Sequence, residues 1–320
     1  MANAPRRLGV IMDPIADITP YKDSTLAMLL AASARNFELL YFTLHDLNLL
    51  DGVAIGRGRP LKVFDDNAHW YELGDATDVR LGDLDVLLMR KDPPFDMEFV
   101  YATYILERAQ LAGALVVNRP DSLRDVNEKA YTAWFPELCP PTLITRSMSR
   151  MSQFLQEQGK IVVKPLDGMG GKSIFVVRQD EPNRSVIFET LTDNGQRFAM
   201  AQGFIAKISE GDKRILIVNG EIVPYCLARV PAKGEARGNL AAGGRGVPQP
   251  LGDDDWRIAR AVAPTLVRLG LWFVGLDVIG DRITEINVTS PTCIRELDDA
   301  YDLDIAGDLM DAILNSLEAA

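Results

Sequence analysis

The first 120 or so residues predict an α/β domain doubly wound about a parallel sheet, and three observations carry that prediction. Short runs of Val, Leu and Ile alternate with helical periodicity from residue 7 onward. The helical stretches open on capping residues and close on glycine or arginine. Strand, helix, strand in succession implies right-handed crossovers between parallel strands.

In order, "RLGVIM" (7–12) reads as a buried strand. A helix follows from about Ser24 to Arg35, capped by Asp23 or Ser24, with Leu26, Leu29, Leu30 and Ser33 along one side. "ELLYF" (38–42), "LDVLLM" (84–89) and "ALVVN" (114–118) are further strands. Between the last two, "DMEFVYATYILERAQLAG" is a helix opened by Asp96 and closed by Gly113. After "NRPDSLRD" the pattern changes. "LRDVNEKAYTAWF" (123–135) reads as a helix broken by Pro136, Pro140 and Pro141, and a second helix lies near 149–158. Strands return at 213–218 and 221–230. The segment 231–250 holds five glycines, three prolines and four alanines, so it predicts a structureless lid. A helix at 254–269, kinked at Pro264 and ended by Gly270, precedes two strands around a Gly280–Asp281 turn.

Composition narrows the function. With 34 basic and 45 acidic residues the net charge is −11, which argues against a nucleic-acid backbone or anionic lipid as main partner. Three scattered cysteines without a CxxC pair fit reduced, buried thiols, and His45 and His69 stand alone as structural residues. The apolar run of the N-terminus stops at Asp13-Pro14, unlike a signal peptide, and no run approaches the roughly 18 residues of a membrane span. A cytoplasmic protein is expected.

"IVVKPLDGMGGKSIFVV" (161–177) contains Gly171-Lys172-Ser173, the tail of a Walker phosphate loop. The earlier glycine of that motif is Leu166 here, and "SIFVV" is a strand where a helix is required, so the Walker reading fails. What remains is strand, glycine-rich turn, strand: a hairpin able to fold over a triphosphate, with Lys164 ending its first strand. Taken alone, such a hairpin is more often only a turn.

Glu285 and Asn287 lie at i and i+2 of "RITEINVT", on one face of one strand, and Asp277 lies on the strand before. Two carboxylates and an amide oxygen suit Mg²⁺. A two-residue turn at 280–281 would put Asp277 and Glu285 on opposite faces, so a shared metal predicts a longer turn or a bulge. Half-exposed polar strand positions are the alternative. Arg229, Arg237 and Arg245 fall in or beside the lid, where closure could carry one to a developing anion.

These features together resemble the ATP-grasp superfamily, whose members hold ATP between two α+β subdomains. The segments "MDPI", "MRKDPPFD", "ATYILERA", "NEKAYTAWF", "KPLDGMGG", "RGNLAAGGRG" and "GLDVIGDRITEINVTSPTCIRE" are similar to those of bacterial glutathione synthetase, across residues 7 to about 315. That resemblance implies an N-terminal domain at 1–124, a central subdomain with the flap at 125–203, and a C-terminal subdomain with the lid and metal site at 204–320. It implies that Lys129 and Lys164 contact ATP phosphates under a cover including Gly168, Gly170 and Gly171. Gln202, Gly203, Phe204 and Ile205 would be the adenine hinge, with Asp212 near the ribose and Arg214 also at the nucleotide. Asp277, Glu285 and Asn287 would hold Mg²⁺, or Mn²⁺. Ser290, Thr292 and Asp13 would bind substrate, and Arg90, Arg229 and Arg237 would face the reacting centre. Lys172 stands where the family has a small residue.

The implied reaction joins γ-glutamylcysteine to glycine, giving glutathione, ADP and phosphate through an acyl phosphate, in a homo-oligomer, by resemblance a homotetramer. No nucleic acid or membrane takes part. Another ATP-grasp ligase, of the D-alanine–D-alanine or glutamate-tailing type, would share the phosphate and metal features and differ in the acceptor; a kinase-like transferase would stop at phosphorylation, and the paired Asp277 and Glu285 argue against a nucleotide-sensing module without catalysis.

Overall fold

The computed structural model describes residues 5–232, 238 and 243–319. The N-terminal part runs β1 (Arg7–Ile11), α1 (Ser24–Ala34), β2 (Glu38–Phe42), β3 (Leu47–Leu50), β4 (Val53–Val63), β5 (Tyr71–Leu73), β6 (Thr77–Arg80), β7 (Val86–Met89), α2 (Met97–Leu111) and β8 (Leu115–Val117). Its centre is the parallel set β2-β1-β7-β8, as the alternation predicts. Asp23 caps α1 by accepting from the Leu26 N–H at 2.6 Å, and Asp96 caps α2 through Phe99 at 3.0 Å.

An antiparallel insert occupies 47–80, where no strand was expected. β4 pairs with β2 and carries β3, β5 and β6. Its "VAIGRGRPLKV" hides the strand because glycine and arginine interrupt the apolar pattern. Gly56 and Gly58 have a packing reason: a Cβ at either would meet the Phe42 ring at 2.6 or 2.7 Å.

The chain continues through α3 (Pro120–Asp125), β9 (Thr142–Thr145), α4 (Met148–Gln158), β10 (Lys160–Pro165), β11 (Phe175–Arg178), α5 (Arg184–Thr192) and β12 (Ala199–Gly203). Its antiparallel sheet has the order β11-β10-β12-β9. The helix expected at 123–135 is two pieces, α3 and a 3₁₀ segment at Ala130–Trp134. Asn127 divides them: its Oδ1 accepts from the N–H groups of Lys129 (3.1 Å) and Ala130 (2.9 Å), replacing helical bonding.

Last come β13 (Asp212–Val218), β14 (Glu221–Val230), β15 (Arg245–Pro250), α6 (Asp253–Arg268), β16 (Phe273–Ile279), β17 (Arg282–Asn287), α7 (Ile294–Tyr301) and α8 (Ile305–Ala319). The sheet order is β15-β14-β13-β16-β17, with every neighbouring pair antiparallel. Of the lid expected over 231–250, the last six residues are strand β15, paired along β14, and residues 233–237 and 239–242 lie outside the described residues. Pro248 and Pro250 are tolerated there because β15 is an edge strand, with one ladder only.

Two apolar cores each combine residues of the N-terminal sheet with residues of the β13–β17 sheet. A third, around Met151, Ile161 and Phe188, belongs to the β9–β12 unit alone. Buried Asn118 joins the first two units. Its Nδ2 donates to the carbonyls of Phe273 (2.9 Å) and Val288 (2.7 Å), while its Oδ1 accepts from the N–H groups of Trp272 and Phe273.

Candidate active site

The β13–β17 sheet presents a checkerboard of charge to a cleft of about 300 Å³ bounded opposite by the β10–β11 hairpin. Register places each charge against its partner. Asp212 lies opposite Arg229 on β14, and Arg214 lies opposite Asp277 on β16. Asp277 in turn faces Glu285 on β17, because Thr284 is an extra residue that shifts the register by one. The bulge that a shared metal required is present, so both carboxylates point from the same face.

The ion pairs are short and buried. Arg214 donates to both Asp277 oxygens, at 2.6 Å from Nε and 3.2 Å from Nη2, and Arg229 reaches the second oxygen at 2.9 Å. Arg229 also donates to Asp212 Oδ2 at 2.5 Å. Lys164 sits 3.2 Å and Lys129 3.8 Å from Glu285 Oε1. Burial alone would protonate Asp277, but Arg214 and then Arg229 hold its carboxyl well below the usual range. Burial likewise opposes the charge of Glu285, and Lys129 and Lys164 overcome it. Asp212 is the exception: burial outweighs Arg229 and pushes its carboxyl up to about 7. Its Oδ1 is buried with no hydrogen-bond partner among the described residues.

The hairpin forms as the residue pattern implies, with β10 antiparallel to β11. Gly170 (φ +63°) and Gly171 (φ +77°) take left-handed backbone, which glycine adopts without cost. Lys129 ties into this turn by donating to the Gly168 carbonyl at 2.6 Å, and it also bonds Glu128. At the hinge, the N–H groups of Gly203 and Phe204 donate to Pro141 (2.9 Å) and Lys160 (3.1 Å), whereas the Ile205 N–H has no partner among the described residues.

Lys129, Lys164, Gly168, Gly170, Gly171 and the hinge Gln202–Ile205 line the cleft. So do Asp212, Arg214, Arg229, Asp277, Glu285, Asn287, Ser290 and Thr292. Two expected residues lie outside that lining. Arg90 is buried behind the 290–292 loop, donating to the Pro291 carbonyl at 2.9 Å and to Thr25 at 3.1 Å. Asp13 pairs with Lys91 at 3.0 Å and accepts from the Asp92 N–H, and Asp92 in turn accepts from the Ser290 hydroxyl. Arg237 falls outside the described residues. Residue reasoning passed over Glu128, Asn127 and Asp92, although all three stand within two positions of residues it chose.

The donor set fits a hard divalent cation: Asp277 and Glu285 supply adjacent carboxylates, and the Asn287 amide lies two residues on along the same face. Among the described residues no three of His, Cys, Asp and Glu form a metal cluster, so the amide oxygen is needed to complete the set. Gly275 makes room for this grouping, since a Cβ there would strike the Arg214 side chain at 2.8 Å.

Two family models cover most of the chain. The prokaryotic glutathione synthetase N-terminal domain matches residues 7–124, and the prokaryotic glutathione synthetase ATP-grasp domain matches 128–302. The chain belongs to the prokaryotic glutathione synthetase family. Among relatives, the glutathione synthetase of Shewanella oneidensis is 61% identical over 307 residues, covering 96% of this chain and 98% of the relative. The glutathione synthetase of Vibrio cholerae is 58% identical over 313 residues, covering 98% of each chain. Solved structures share the ATP-grasp fold at low identity. D-cycloserine synthetase DcsG superposes with a TM-score of 0.68 at 14% identity over 96% of this chain and 99% of its own. The ATP-grasp ligase PsnB, in complex with a minimal precursor, Mg and ADP, gives 0.62 at 14% identity over 97% and 98%. Glutathione synthetases of this type use ATP and a divalent cation, which the charge layout of the cleft accommodates. No helix among the described residues is long and apolar enough to cross a membrane.

Proposed function

We propose that the cleft binds ATP between hairpin and checkerboard and uses it to join γ-glutamylcysteine to glycine. ATP-dependent glutathione synthesis is the activity of this chain, a carbon–nitrogen ligase. The observation that carries the site reading is the pairing of Asp277 with Glu285 amid Arg214, Arg229, Lys129 and Lys164. Asp277, Glu285 and Asn287 would hold Mg²⁺, or Mn²⁺ by the same hard-oxygen chemistry, which when bound screens the triphosphate and polarises its γ-phosphoryl group.

Lys129 and Lys164 face Glu285 and would contact phosphate oxygens, with the backbone of Gly168, Gly170 and Gly171 as cover. Gln202, Gly203, Phe204 and Ile205 form the adenine edge, where the unpartnered Ile205 N–H is a ready donor. Asp212 Oδ1 offers an acceptor to a ribose hydroxyl. Arg214 keeps Asp277 ionised beside the nucleotide. Ser290 and Thr292 would position glycine, Asp13, outside the cleft lining, would bear on substrate through the Asp92 N–H it holds, and Arg90 supports the 290–292 loop from behind.

A carboxylate is a poor acyl donor at neutral pH. Its oxygen attacks the γ-phosphorus, ADP leaves, and an acyl phosphate forms with the negative charge balanced by Lys129 and Lys164. The glycine amine then adds to the acyl carbon, and phosphate and a proton depart as the amide forms. Arg229, and Arg237 from the lid, would donate to the oxyanion of that second step. We place the boundaries of the three domains after residues 124 and 203, the assembly as a homotetramer, and the location as the cytoplasm.

Phosphate release measured with each substrate omitted in turn tests this reading. Release should need ATP, γ-glutamylcysteine and glycine together, with glutathione in equal amount. A stable phosphorylated product accumulating without glycine would overturn it.

A further inference from the structure

A second groove, of about 930 Å³, shares Pro140 and residues 203–205 with the cleft but none of the residues assigned to phosphate or metal. Its volume lies within the roughly 300–1,000 Å³ typical of small-molecule sites. The groove straddles two units of the fold. Lys160 opens β10 of the β9–β12 unit, whereas Lys207 lies in the 3₁₀ segment Ala206–Glu210 before β13 and Arg282 opens β17. All three cations line the groove, against a single acid, Asp281. In a chain of net charge −11, such a local excess of cations is out of keeping with the whole.

Each of these cations is held in place yet left short of negative charge. Lys160 Nζ lies 3.3 Å from the centroid of the Phe204 ring, and it has no carboxylate partner among the described residues. Arg178 stands directly opposite Lys160 in the β10–β11 ladder, where like charges repel. Desolvation, and then Arg178, lower the Lys160 ammonium from its ordinary value, the direction expected of a cation lacking an anion. The stem of Lys207 lies over Gly280, where a Cβ would come within 2.7 Å of the lysine Cδ. Its ammonium likewise has no partner among the described residues. Arg282 Nη1 donates to the carbonyls of Glu137 (3.0 Å) and Cys139 (3.4 Å), and the guanidinium meets Asp281 only at 3.6 Å. Phe204, Pro140 and Pro141 add an apolar wall.

We propose that this groove is a second binding site, distinct from the catalytic cleft, for a compact multivalent anion whose phosphate or carboxylate oxygens bridge Lys160, Lys207 and Arg282. Three cations against Asp281 leave a surplus that one carboxylate group would not balance, so the ligand carries at least two anionic groups. Its size is limited by the groove, and the acidity of the whole chain disfavours a nucleic acid as the occupant. An anion seated there joins the start of β10 to the start of β17, and so links the β9–β12 unit to the β13–β17 sheet through charge instead of apolar contact.

Calorimetric titration of the full chain with inorganic pyrophosphate and, separately, with tricarballylate tests the site. Lys164→Gln serves as the control, because it weakens anion binding in the catalytic cleft and leaves the groove alone. The wild type and Lys164→Gln should share one binding event with at least one of the two anions. That event should weaken about ten-fold in the double variant Lys160→Gln with Lys207→Gln, and about three-fold in Lys207→Gln, whose side chain is exposed. Far-ultraviolet spectra should match throughout. Binding of pyrophosphate alone assigns phosphate groups to the ligand, and binding of tricarballylate alone assigns carboxylates. If neither anion binds, or if no event common to the wild type and Lys164→Gln is weakened by the double substitution, the site is overturned.

Discussion

Asp277 and Glu285 sit directly opposite each other on β16 and β17 only because Thr284 is one residue too many for the ladder. The Thr284 hydroxyl fastens the bulge by donating to the Asp277 carbonyl at 3.2 Å. A one-residue slip would send Glu285 to the far side of the sheet.

Glu285→Gln keeps the size of the side chain and removes its charge. Glutathione formation should fall by about 10²–10³, the usual loss when one electrostatic contribution to a transition state is deleted. The circular dichroism spectrum should be unchanged. An unaltered rate at saturating Mg²⁺ would count against a role for Glu285 at the metal.

Lys172 lines the cleft but, unlike Lys129, Lys164, Arg214 and Arg229, has no side-chain partner among the described residues. It is the spare positive charge of the flap. Lys172→Ala should raise the KM for ATP about five-fold, on the order of 1 kcal/mol for a solvent-screened contact, with kcat little changed. Steady-state kinetics with ATP varied would show it.

Asn127 holds two parts of the nucleotide site at once, through the Lys129 N–H and, by its Nδ2, the Leu166 carbonyl at 3.0 Å. Asn127→Ala should lower unfolding free energy by about 1–2 kcal/mol and raise the KM for ATP as Lys129 loses its setting. Urea titration and kinetics read the two effects separately.

Asp298 gives a pH dependence remote from the cleft. Burial, with Asp304 and Asp299 nearby, raises its carboxyl from 3.8 to about 6, against the pull of the Ile305 N–H it accepts from. The folded chain therefore holds a proton that the unfolded chain releases, and this group favours folding most below about pH 4. That contribution disappears as pH rises through 6. Asp298→Asn keeps an acceptor for Ile305 and removes the titration, so its urea midpoint should decline less than the parent's between acid and neutral pH.

Much of this site was legible because its chemistry lies in strands, where spacing determines the face. Glu285 and Asn287 share a face by parity alone, and the need for a bulge before Glu285 followed from the length of the 280–281 turn. The antiparallel insert was hidden because β4 uses Gly56 and Gly58 to accommodate Phe42, a reason found 14 or more residues away in the chain. The break after Asp125 was hidden because one side chain, Asn127, bonds the backbone in place of the helix. β15 was hidden because its prolines and glycines fit a loop equally well, and only the long neighbouring β14 makes them a strand. Glu128 and Asp92 gave no signal of their own beyond standing one and two positions from the chosen Lys129 and Arg90.

The distribution of apolar cores has a mechanical consequence. Since the β9–β12 unit keeps most of its core to itself while the other two sheets are welded through shared cores and Asn118, swinging that unit away from the checkerboard would leave the packing around Met151, Ile161 and Phe188 intact. The molecule is then a fixed anvil and one hinged jaw, and the jaw carries the hairpin, so substrate entry and water exclusion are governed by a single degree of freedom.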